Sequence, residues 1–127
     1  MGMRMGKITV EFYELPDGTK PVEDFLSGLD DKMRAKMSRR IQLLQEFGSD
    51  VREPYSKHLE DGIFELRAQF GNNITRVLYF FFVGNKAVLT NGFVKKTQKT
   101  PVAEIDKAKQ YRASYMSKEG NSNDKLR

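Results

Sequence analysis

Cations recur in three successive β-type runs: Phe64-Glu65-Leu66-Arg67, then Arg76-Val77-Leu78-Tyr79-Phe80, then Gly92-Phe93-Val94-Lys95-Lys96, the last leading into Lys99-Thr100-Pro101. Neighbouring strands that each deliver a cation build a positive patch, and a helix N-terminus beside it adds free N–H groups and a dipole that favour an anion. Such an arrangement suits a phosphate chain. Alternate strand residues face opposite sides, so Phe64, Leu66, Ala68 and Phe70 form one row and Glu65, Arg67 and Gln69 the other. An even-length turn at Asn72-Asn73 pairs Arg76 opposite Gln69 and brings it into the Arg67 row, with Glu65 beside the two guanidiniums. The plainer reading of Glu65 and Arg67 is a solvated cross-strand pair that contributes little.

The run Lys95-Lys96-Thr97-Gln98-Lys99 is a solvated loop by composition alone, but its place between a strand end and a helix start makes it a phosphate contact. Lys57 and His58 precede the hairpin and can reach the same face. Tyr79-Phe80-Phe81-Phe82 reads as a central strand covered on both sides, and Tyr79 can alternatively offer its phenol or ring to a base. With one His, no Cys, and neither paired carboxylates nor a Gly-rich phosphate loop, zinc-enzyme, triad and nucleotide-loop readings lose support. No metal and no cofactor are expected.

These residues must be positioned by one domain, because 127 residues match the size of a single core. Apolar residues make up 39% of the chain, nine Phe and five Tyr among them, enough for a core despite 31% charged residues. The net charge of +5 favours polyanionic partners without naming one. The absence of Cys excludes disulfides and thiolate chemistry and is compatible with a cytoplasmic location. The start has no apolar stretch behind its charges, and the longest apolar run, Val77 to Val83, is far short of the ~20 residues that span a bilayer. Neither secretion nor membrane insertion is expected.

Ile8 to Tyr13 is β-rich and ends at Pro16-Asp17-Gly18. Pro21 opens a short helix with Val22, Phe25, Leu26 and Leu29 as its stripe. Asp30 or Asp31 caps a longer helix to about Phe47, with Met33, Met37, Ile41, Leu44 and Phe47 on one face and Gly48 as its stop. Ser49 to Leu59 is polar and reads as irregular. Three strands follow, about Gly62 to Gly71, Ile74 to Val83 and Lys86 to Val94, joined by Asn72-Asn73 and Gly84-Asn85. Thr100 caps and Pro101 starts a last helix to about Tyr115. The expected class is α+β: a mainly antiparallel sheet in the order β-α-α-β-β-β-α, packed against a helical hairpin, with a C-terminal helix. Residues 1–116 form one domain, and the polar segment 117–127 reads as a disordered tail.

Taken together, Lys57-His58-Leu59, Gly62 to Arg67, Arg76 to Tyr79, Gly92 to Lys96, Thr100-Pro101, Glu104-Ile105 and Ala108 resemble the RelE/HigB-type toxins of bacterial and phage toxin–antitoxin modules, and more closely their phage-derived HigB-like branch. The resemblance runs from about Ile8 to Tyr115. It implies a small RelE-like fold and metal-independent endonucleolytic cleavage of mRNA, commonly on the ribosome, restrained by an antitoxin with a helix-turn-helix domain. Arg67 and Arg76 match the family's cationic strand positions, Lys57 its upstream basic position, and Lys95 or Lys96 the basic position at the end of the last strand. The chain departs from family members that carry a Tyr near the start of the last helix or a His in the last strand, since it reads Pro101-Val102-Ala103 and Thr90-Asn91-Gly92 there.

Metal-free cleavage uses the RNA's own 2′-hydroxyl against the adjacent phosphorus, so the protein must orient the attack and stabilise the charged transition state. Arg67 and Arg76 suit the second task but do not lose a proton. Base and acid are then left to Lys57, His58, Glu65, Lys95, Lys96 or Tyr79, with Lys99 as a further substrate contact. The alternative is a non-catalytic module of the same fold that binds RNA, the ribosome or a protein. A DNA-binding regulator using Arg34, Arg39 and Arg40 ranks last, because no helix-turn-helix pattern supports it.

Overall fold

The computed structural model describes the backbone of residues 7–95 and 99–126, and the side chains of 7–95 and 99–119. Lys96, Thr97 and Gln98, expected as a phosphate-contacting stretch, lie outside the described residues. The chain runs β1 (Thr9–Phe12), α1 (Pro21–Ser27), α2 (Asp31–Phe47), a single 3₁₀ turn (Gly48–Asp50), β2 (Ser56–Glu60), β3 (Ile63–Phe70), β4 (Asn73–Phe82), β5 (Lys86–Lys95) and α3 (Val102–Leu126). Five strands form one sheet in the order β1-β5-β4-β3-β2, with β1 parallel to β5 and every other pair antiparallel. This is the expected α+β class.

The helical hairpin forms where its signals stand. Pro21 occupies the first turn of α1, Asp30 accepts from the Met33 N–H at 2.9 Å to cap α2, and Gly48 takes φ +54° to end it. Val22, Leu26, Met33, Met37 and Leu44 pack on Leu66, Ala68, Val77, Tyr79, Ala87 and Leu89. Burying each such aliphatic side chain contributes about 1.5–3 kcal/mol. Gly92 has a packing reason, since a Cβ there would lie 2.4 Å from the Phe25 ring of α1. The opposite face of the sheet, with Ile63, Leu78, Phe80 and Val88, is covered by Ala108, Tyr111 and Tyr115 of α3. Each face of the sheet therefore has its own core, and β4 is apolar toward both.

Three expectations are corrected. First, Ser56–Glu60 is a strand, not an irregular segment, so the order gains one β element before the meander. An edge strand of Lys, His and Glu carries little apolar signal because charge protects its free side. Secondly, the β3–β4 turn is Gly71-Asn72, with Gly71 at φ +63°, and this register sets Arg76 directly opposite Arg67, with Ile74 opposite Gln69. A shift by one whole pair preserves parity, and the two arginines share a face as expected. Thirdly, α3 does not stop near Tyr115 but continues as helix through the polar segment to Leu126. Once nucleated and anchored, a helix can propagate without a second nucleation step, here through Ser, Asn, Asp and Gly120 in the absence of a proline.

Buried phenols give the fold a pH signature. Tyr79 donates to or accepts from the Ser56 hydroxyl at 2.5 Å, and burial pushes its pKa up to about 12. Tyr115 donates to Glu11 at 2.9 Å and rises to about 12 through burial and that bond. A folded pKa above the unfolded value of about 10 means stabilisation that is complete below pH ~10 and lost as pH rises through about 12. Ultraviolet titration should show Tyr79 and Tyr115 ionising late, with unfolding setting in over that interval. Ionisation of Tyr79 and Tyr115 at ordinary values in folded protein would contradict the packing.

Candidate functional site

On the α3 face, rows of side chains cross the sheet: Lys57 opposite Glu65, then Arg67 opposite Arg76, then Ile74 opposite Lys95. Two arginines set directly across a ladder repel each other. The carboxylate of Glu65 resolves that conflict. Its Oε2 accepts from Arg67 Nε, its Oε1 accepts from the Thr100 hydroxyl, and Arg76 Nη1 lies 3.6 Å from the same Oε1 and donates to Thr100 Oγ1 at 3.2 Å. Glu65 and Arg76 are fully buried, whereas the Arg67 side chain keeps 21% of its exposure. Burial pulls the Arg76 pKa down, with Glu65 opposing and Arg67 reinforcing the shift. The cluster carries one positive charge beyond neutrality, and Arg67 is the member that meets solvent.

The sequence makes Thr100 a helix cap, but its hydroxyl is spent instead on Glu65 and Arg76. The first turn of α3 is closed from Pro101, whose carbonyl accepts from Ile105 N–H at 3.3 Å and from Glu104 N–H at 3.1 Å. Asn91 anchors the same turn by donating to the Glu104 carbonyl at 3.2 Å and carboxylate at 3.0 Å. Asn91 can do so because of a β-bulge: Leu78 pairs with Asn91 but Tyr79 with Leu89, leaving Thr90 as the extra residue. No local signal marks Thr100 or Asn91 as site residues, since their partners are 35 and 13 residues away.

The remaining candidates separate by face. Lys57 is exposed beside Glu65, and Lys95 stands at the end of β5 beyond the arginine row. Lys99 is exposed next to Thr100. His58 faces the other way: it pairs with Phe64, packs edge-on against that ring at 5.0 Å, and its Nε2 accepts from the Gly62 N–H at 3.1 Å. Tyr79 is also on the α2 face, 1% exposed, within the core. Strand alternation thus removes His58 and Tyr79 from the arginine face. Both Glu65 oxygens are occupied, which suits a residue that holds others in place. Among the described residues, no group of three or more His, Asp or Glu side chains is gathered as a metal site would need, and no helix is long and apolar enough to cross a membrane.

A small α+β domain with a helical hairpin on one face of its sheet and a C-terminal helix on the other fits the RelE-like class. A family model described as "Phage derived protein Gp49-like (DUF891)" matches residues 24–113. The chain belongs to that family, which is one of RelE/HigB-like toxins of toxin–antitoxin modules. Such membership suggests an antitoxin partner. No curated protein matches the chain.

Proposed function

We propose that the protein is the toxin of a type II toxin–antitoxin pair of the HigB-like branch, a metal-independent endoribonuclease that cuts mRNA in the cytoplasm, on the ribosome, and is neutralised by a helix-turn-helix antitoxin. The observation that carries this reading is the partly exposed Arg67, fixed by the buried Glu65 in one row system with Lys57 and Lys95. In the reaction the 2′-oxygen forms a bond to the adjacent phosphorus, the bond from phosphorus to the 5′-oxygen breaks, one proton leaves the 2′-hydroxyl and one reaches the departing oxygen. Arg67 neutralises the extra charge on the phosphoryl oxygens. Lys57, Lys95 and Lys96 supply the base and the acid, with Lys99 as a phosphate contact. Arg76 is a positioning residue: it holds Glu65, and Glu65 holds Arg67.

One observation favours a second reading, a non-catalytic RNA- or ribosome-binding module. Arg76 is completely buried, so a single arginine is presented to a ligand. Induced expression separates the two: arrested growth with mRNA cut at discrete sites in chelator-treated extracts supports the nuclease. Ribosome or RNA binding with intact message supports the module.

A further inference from the structure

Beyond Arg67 the sheet edge is open, because β2 pairs with β3 as far as Leu66 and the last bond across is from the Arg67 N–H to the Tyr55 carbonyl at 2.8 Å. α2 covers that edge from the other side. Arg40 Nε donates to the Arg67 carbonyl at 3.1 Å and Lys36 Nζ to the Gln69 carbonyl at 2.6 Å. The guanidinium of Arg40 also lies 4.6 Å from the centre of the Tyr55 ring, which is 41% exposed. Lys36, Arg40, Tyr55, Arg67, Gln69 and Ile74 enclose a cleft of about 220 Å³.

Three properties define what fits. Lys36 and Arg40 bond neutral carbonyls, and among the described residues neither is paired with a carboxylate, so both charges remain to be matched. The carbonyls an incoming peptide strand would use are already taken, which disfavours strand addition. The cleft is smaller than the ~300–1,000 Å³ of sites that engulf a small ligand, so it suits one unit of a longer chain. Cations alternating with an exposed ring are the means by which single strands are held without sequence readout.

We propose that this cleft is a subsite for single-stranded RNA flanking the scissile phosphate, in which Lys36 and Arg40 hold a backbone phosphate and a base stacks on Tyr55. The ligand class rests on the RNA reading above. Arg67 belongs to both places, with its guanidinium toward the Glu65 cluster and its carbonyl at the cleft. The strand therefore leaves the arginine face around the open edge of β3.

The test uses a short single-stranded RNA methylated at every 2′-hydroxyl, which binds but cannot be cut, and measures affinity against salt. Tyr55→Leu should weaken binding roughly 5- to 150-fold, the range for losing one stacked base, while Tyr55→Phe keeps it. Lys36→Gln should flatten the dependence on salt by about 0.7 in the logarithmic slope, and Arg40→Gln by the same amount. The Tyr55 backbone, which accepts from the Arg67 N–H at 2.8 Å, is untouched by these changes, and Lys36→Gln with Tyr55→Leu suffices if Arg40→Gln lowers the melting temperature. Wild-type affinity and slope in both of those variants would overturn the subsite, as would their selective loss of a polyglutamate peptide in place of RNA. Cleavage of unmodified RNA by the wild type is scored separately. Cleavage with binding insensitive to Tyr55 sinks the subsite alone; Tyr55-dependent binding without cleavage upholds it and sinks the nuclease.

Discussion

Arg67→Ala is expected to slow RNA cleavage by ~10²–10³, the usual loss for one preorganised contact to a developing negative charge. Its folding should lose about 1–3 kcal/mol, because the buried Glu65 Oε2 is left without its donor. Arg67 is the exposed end of the cluster, and without it Glu65 still meets Thr100 and Arg76. Arg67→Lys keeps the charge but not the planar fork, so it should restore only part of the rate. Single-turnover cleavage with saturating enzyme separates a loss in the chemical step from a loss in binding. Cleavage at the wild-type rate by folded Arg67→Ala protein would remove Arg67 from the reacting centre and leave the lysines of the same face to carry it.

Arg76→Ala should act through stability instead. Truncating one partner of a buried pair leaves the other carboxylate buried beside fewer donors, which costs about 3–5 kcal/mol. Against a typical total of ~5–15 kcal/mol for a domain, that is a large fraction. Urea unfolding should show the midpoint fall with little change in slope. The double change Glu65→Gln plus Arg76→Met removes both charges and keeps the volume, so it should recover much of the loss. The coupling between the two positions would then be the signature of the pair. An unfolding midpoint in Arg76→Ala equal to that of the wild type would show that Arg76 is not needed to hold the cluster. If stability falls but cleavage by the remaining folded protein persists, Arg76 positions nothing.

The elements that local chemistry dictates were legible in the chain itself. The Asp30 cap, the Gly48 stop, Pro21 in the first turn of α1 and the apolar alternation of β3 to β5 each arise from contacts within a few residues. Parity alone also put Arg67 and Arg76 on one face, because a slip by a whole pair does not change which side a residue takes. β2 escaped notice because an edge strand is made by its neighbour's hydrogen bonds and not by an apolar pattern of its own. The α3 extension escaped because polar composition measures what a segment can bury, and a helix already anchored at Ala108 and Tyr115 needs to bury nothing more in order to continue.

The site was decided at longer range. Glu65 and Thr100 stand 35 residues apart in sequence, and only the return of the chain across the sheet brings that hydroxyl onto the carboxylate. The same return buries Arg76 while leaving Arg67 at the edge, a distinction that two arginines on adjacent strands do not announce. His58 and Tyr79 are neighbours of the cationic residues in sequence and strangers to them in space, since one step along a strand reverses the face. What the sequence determines by itself is the charge, the parity and the elements. Burial and partnership belong to the tertiary structure, because both depend on which distant segment comes to cover a residue.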